Sequence, residues 1–146
     1  MYQSNKGENL LAVKERTQTM IQTARIDLKL PSLNDYVRTC RANKYMAASM
    51  KRDIEEMILP FIIDLKRAEG PVEIEFHWVE ATRRRDLDNI AFAKKFILDA
   101  LVKFGKLKDD NRKCVTAFRD YFDIGKDTYV EIKMEEIDVT RVHKAT

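Results

Sequence analysis

The segment VEIEFHWVEA, residues 72–81, sets Val72, Ile74, Phe76 and Trp78 against Glu73, Glu75 and His77. A period of two sends alternate side chains to opposite faces of a strand. One face is therefore apolar and the other polar, which calls for a sheet with a covered side. Other segments supply its neighbours. ARIDLKL, residues 24–30, alternates with Ile26, Leu28 and Leu30 apolar; Pro31 ends that strand, and PSLNDY is read as a turn. CVTAFRDYF and TYVEIKMEEI are two further strands, with DIGKD between them as a hairpin turn.

The cover comes from segments with helical spacing. Between residues 41 and 68, Met46, Met50, Ile54, Met57 and Phe61 recur every three or four positions, and Pro60, which lacks an amide proton, is predicted to kink or split that helix. After the loop TRRRDLDN a second helix is predicted over residues 89–104, with Asp88 as its N-cap and Gly105 as its stop. The order β-α-β-α-β-β gives one α/β domain, a mixed sheet packed against helices. Its expected limits are residues 25–138. Residues 1–24, with a weak apolar set at Leu10, Leu11 and Val13, are assigned to an N-terminal arm, and residues 139–146 to a tail.

Several chemistries are disfavoured at once. Cys40 and Cys114 form no CxxC pair, so neither a zinc site nor a disulfide framework is expected, and free thiols fit a reducing cytoplasm. Four glycines in 146 residues leave no glycine-rich phosphate loop. His77 and His143 lack the companions of a serine or cysteine nucleophile system. No apolar run has the length of a membrane span. The net charge of +3 is compatible with a polyanionic partner without selecting one.

Charges within RRRDLDNIAFAKKFILDAL, residues 83–101, carry more information. In helical projection Ile90, Ala93, Ile97, Leu101 and Phe104 share one side, while Asp88, Lys95 and Asp99 form a row opposite, flanked by Phe92, Phe96 and Val102. Charges among apolar neighbours need partners or ligands. Asp86 and Asp88 form a D-x-D pair able to face one hard cation, and Asp109 or Asp110 adds a third carboxylate if the chain folds back. A lysine beside such a site can stabilise charge on a breaking phosphodiester. Simpler roles exist for each residue: Asp88 as a cap alone, Lys95 and Asp99 as a helix ion pair, the arginines as a solvated loop.

Taken as a set, RRRDLDN, a lysine on the next helix, LDAL, a glycine and DD resemble the RusA family of Holliday-junction resolvases, mostly encoded by phages and prophages. LPSLNDYVR at residues 30–38 resembles that family's first strand and its Pro-Ser/Asn turn, so the likeness spans residues 25–136. The resemblance implies a cytoplasmic homodimer that nicks branched DNA, typically a four-way junction, with Mg2+ (Mn2+ as substitute). It places the metal-binding aspartates on Asp86, Asp88 and Asp110. The catalytic lysine falls on Lys95 when counted back from DAL, with three more residues after DLDN than in short-spaced members and Lys94 as its alternative. Asp99 and Asp109 take supporting places. Arg83, Arg84 and Arg85, with Asn34, Arg38, Arg41 and Lys44, become candidates for DNA contacts. NR after DD departs from the family's usual Ser-Gln-like pair. Two other assignments use the same residues: a flap- or fork-directed nuclease, and a DNA-binding module without catalysis.

Overall fold

Strand β2, Val72–Glu80, behaves as its alternation demands: Val72, Ile74, Phe76 and Trp78 are buried, and Glu73, Glu75 and His77 lie half-buried on the other face. In the computed structural model, which describes residues 20–137, it is a central strand of a four-stranded mixed sheet. Chain order is β1 (Ile21–Ile26), α1 (Leu33–Ala42), α2 (Lys44–Ile62), β2, α3 (Leu87–Ala91), α4 (Lys94–Lys103), β3 (Val115–Ile124) and β4 (Tyr129–Glu136). Spatial order is β1-β4-β2-β3, with β2 and β3 parallel and both other pairs antiparallel. This is the expected α/β class with a mixed sheet; α1 is an added helix where a turn was expected, and the helix expected over residues 89–104 is divided into α3 and α4. Among the described residues no helix is long and apolar enough to cross a membrane.

The core lies on one side of the sheet. Ile54, Ile58 and Ile62 of α2, and Phe96, Ile97 and Leu101 of α4, cluster with Ile26, Phe76, Ile132 and Met134 of the strands. The opposite side carries Arg25, Glu73, Glu75, His77, Arg119, Asp123, Glu131 and Lys133.

Four local expectations change. The first strand begins earlier and ends earlier than ARIDLKL, because β4 starts at Tyr129 and offers no partner beyond the Ile26–Val130 pair; Leu30 is still buried. PSLNDY opens a helix rather than making only a turn. The Ser32 hydroxyl accepts from the Asp35 amide and the Asp35 carboxylate accepts from the Ser32 amide, each at 3.1 Å, a closed capping box. Turn-forming and capping residues are the same types, since both use short side chains to satisfy free backbone amides. That amide bond also holds the Asp35 carboxyl below the usual range. Pro60 sits in the last turn of α2, which continues past it and ends at Ile62 rather than at residue 68.

The fourth change concerns DIGKD. β3 and β4 are not hydrogen-bonded to each other; the chain between them crosses the end of β2. The Gly125 amide donates to the Glu80 carbonyl at 2.9 Å, and a Cβ at residue 125 would lie 2.6 Å from Val79 Cγ1. Glycine therefore permits the close crossing. Gly125→Ala is expected to cost about 1–3 kcal/mol, read as a shift in the urea midpoint; an unchanged midpoint would mean that Val79 yields freely.

Gly105 closes α4 as expected, at φ 75°, with Gly105 N donating to Val102 O at 3.1 Å and Lys106 N to Leu101 O at 2.7 Å. Those two bonds are a Schellman closure. The tail, His143 and the arm's Leu10, Leu11 and Val13 lie outside the described residues, whereas β1 begins inside the segment assigned to the arm.

Candidate functional site

The predicted helix over residues 89–104 is interrupted. α3 ends at Ala91, and Ala93, Lys95 and Phe96 amides bond three residues back, to Ile90, Phe92 and Ala93, so the chain tightens before α4 starts. The interruption removes Asp88 from the single row predicted with Lys95 and Asp99. It also moves the cap: Asp86, not Asp88, is the N-cap residue of α3, and Asp88 lies in its first turn. Asp86 makes no side-chain cap bond. Both carboxylates are exposed, two residues apart, with no hydrogen bond or ion pair among the described residues.

The three arginines divide. Arg85 is partly buried, paired with the buried carboxylate of Glu80 at the end of β2, and its Nη1 donates to the Leu30 carbonyl at 2.9 Å. It ties β2 to the chain after β1, so that, unlike its two neighbours, its guanidinium is engaged within the chain. Arg83 and Arg84 are exposed and without an ion pair among the described residues. Sequence reasoning missed Glu80. Its signal was present: it sits on the apolar parity of β2, where a carboxylate must find a cation.

Asn34 meets this region through its backbone, whose amide donates to Asn89 Oδ1 at 3.2 Å. That bond docks the start of α1 beside α3. Arg38 and Arg41 are exposed along α1, and Lys44, at the start of α2, lies 5.3 Å from the Tyr45 ring centre.

Lys94 and Lys95 take opposite roles. Lys94 turns to the sheet, its ammonium 2.7 Å from Asp120 Oδ2 and 4.5 Å from the Phe118 ring centre. Asp120 also accepts from Trp78 Nε1 at 2.8 Å, so a half-buried cation, acid and indole form one cluster. Lys95 is the exposed lysine, its side chain 59% accessible, 3.2 Å from Asp99. Asp99 is mostly buried and lies between Lys95 and Lys51 of α2, the latter at 3.1 Å. This carboxylate raises the Lys51 pKa above the usual lysine range. Tyr36, Phe92 and Phe96 cluster beside them in tilted and edge-to-face contacts, with ring centres 5.4–5.8 Å apart. Together they border an open cleft of about 480 Å³.

The third acid lies elsewhere. β2 and β3 run parallel from the Val72–Val115 pair to the Glu80–Ile124 pair. Asp86 and Asp88 follow the end of β2, whereas Asp109 and Asp110 precede the start of β3. Eight strand steps, about 26 Å, separate the two ends. The expected three-acid set is therefore not assembled within one chain, because a parallel strand returns the acidic loop to the wrong end. Among the described residues no group of three or more His, Cys, Asp or Glu side chains is placed to hold a metal ion.

Within that loop the two aspartates differ. Asp109 accepts from the Asp110 amide at 2.7 Å and from Asn111 Nδ2 at 3.0 Å, so it shapes the turn. The Asp110 carboxylate is exposed and makes no such bond among the described residues. A second cleft, of about 550 Å³, lies between Arg83 and Leu87 on one side and Phe122, Asp123 and Ile124 on the other, at the edge of β3. No protein-family model matches the chain. No curated protein matches it either.

Proposed function

We propose that this chain is a magnesium-dependent endodeoxyribonuclease that cuts branched DNA, with the four-way junction as its substrate class. One observation carries the proposal. Between residues 83 and 110 the acids divide into Asp99 and Asp109, which are committed to internal contacts, and Asp86, Asp88 and Asp110, which are exposed and uncommitted. The uncommitted three are those that the resemblance to RusA resolvases assigns to metal.

Two carboxylates with water and substrate phosphate are a usual magnesium environment, so Asp86 and Asp88 suit the ion, and Asp110 can join only from a second copy of the chain. Magnesium, when bound, supplies a Lewis acid and an activated water to the phosphodiester. Arg83 and Arg84 attract and hold the adjacent phosphates, and Lys95 places positive charge where the leaving oxygen develops. Asp99 orients Lys95.

Labelled four-way, forked and linear duplexes incubated with the full chain test the assignment. Paired nicks in the junction are expected with magnesium and not with EDTA. Asp88→Asn is expected to lower cleavage by about a hundredfold or more while junction binding persists. Preferential cutting of the fork would instead select the flap- or fork-directed nuclease. Binding without cleavage in magnesium or manganese would sink the enzymatic assignment.

A further inference from the structure

β3 is an edge strand: β2 pairs with one side of it, and the other side carries no strand among the described residues. Edge strands usually carry a device against pairing, such as proline, a bulge, short length or charge. β3 has ten residues without proline, and it leaves Phe118, Tyr121 and Ile124 at 45%, 52% and 49% exposure. Its devices are a register shift at Thr116, near its start, and the charges Arg119, Asp120 and Asp123 along the rest of its length. The spacing of these charges makes them self-complementary. The geometry points to β3 as the seam of a homodimer, two copies pairing antiparallel about a two-fold axis at Tyr121.

A two-fold axis perpendicular to the sheet keeps each face on its own side, so opposed residues must share parity. An axis at Arg119 opposes two arginines, and one at Asp120 opposes two aspartates; both are repulsive. An axis at Phe122 sets Asp120 against Ile124 and Arg119 against Gly125, which pairs no charges. With the axis at Tyr121, Arg119 meets Asp123 twice, Phe118 meets Ile124 twice, and the two Tyr121 rings meet each other. Existing contacts favour the same arrangement. Arg119 lies 3.4 Å from Glu73, and Asp123 pairs with His77, all on the bare polar face. The seam would join these two pairs into one row without breaking either.

This arrangement has a consequence that rests on the nuclease proposal. Antiparallel pairing carries the acidic loop before one β3 past the far end of the other, the end where residues 81–88 leave β2. That is the side on which Asp86 and Asp88 need a third carboxylate.

The test uses the full chain in a Cys40→Ser, Cys114→Ser background. Sedimentation equilibrium should show a dimer at micromolar concentration. Tyr121→Cys should cross-link on mild oxidation, because directly opposed residues lie about 4.5–5.5 Å apart, within disulfide reach. Thr116→Cys, about 33 Å from its symmetry mate in this register, should not. Arg119→Asp or Asp123→Arg alone should weaken association about tenfold, and the two together should restore it. A monomer at all concentrations would overturn the inference, as would a dimer indifferent to both the charge reversals and Tyr121→Cys. Asp88→Asn should leave association unchanged. A dimer in this register that cuts no branched DNA would keep the seam and remove the nuclease proposal.

Discussion

Equal amounts of Asp88→Asn and Asp110→Asn, each inactive alone, are expected to regain nicking activity when mixed and allowed to exchange subunits. Random reassortment makes half of the dimers mixed, and in each mixed dimer one acidic set is whole while the other carries both changes. Single-strand nicking should return to about a quarter of the wild-type rate, since two-fold symmetry gives every dimer two sites. Paired nicking should stay low, because no mixed dimer holds two whole sites. The expectation follows from the strand directions: Asp110 lies at the start of β3, and Asp86 and Asp88 lie past the end of the parallel strand β2. Exchange without any recovery would show that the three acids are not shared between chains.

The second large effect concerns the neighbouring lysines. Lys95→Ala should lower the cleavage rate by about a hundredfold or more, the usual scale for removing a charge that faces the developing anion. Its effect on stability should stay within about 0.5 kcal/mol, because the side chain is 59% accessible and an exposed ion pair contributes little. Lys94→Ala should show the opposite pattern. It strips Asp120 of its cation, leaving a half-buried acid held only by Trp78, and should cost about 1–3 kcal/mol of stability. At equal folded fraction it should cut DNA nearly normally. Chemical denaturation and single-turnover cleavage, measured on both variants, separate the two roles. A catalytic defect confined to Lys94→Ala would move the assignment to Lys94.

Sequence period was a faithful guide in β2 and α4 but not in α2, where Met46 and Met57 of the predicted apolar row are exposed and Ala47, Ile54, Ile58 and Ile62 form the buried face instead. The parity of β2, the buried line Ile90, Ala93, Ile97 and Leu101, and the glycine stop at Gly105 all followed from one-dimensional pattern. What escaped depends on partners far along the chain. No local signal shows that DIGKD crosses over a strand instead of folding back, because a glycine with turn-forming neighbours suits both; the decision lies in the contact between Gly125 and Val79. The interruption of the helix at residues 92–93 was equally hidden, since no proline or glycine marks it. For the acids, spacing identified the residues but not their company. Asp99 is a buried bridge to Lys51 on a different helix, and Asp110 lies a strand's length from Asp88.

The sheet order carries a further consequence, for how the chain is made. β4 is the last of the four strands to be synthesised, yet it sits between β1 and β2 and pairs with both. Before it leaves the ribosome, β1 has no partner strand and the apolar face of the sheet cannot close. The helices can form early, because their bonds are local, but strand pairing must wait for contacts that are distant in sequence. The sheet of such a chain cannot close until β4 is available, and its apolar strands stay exposed in that interval.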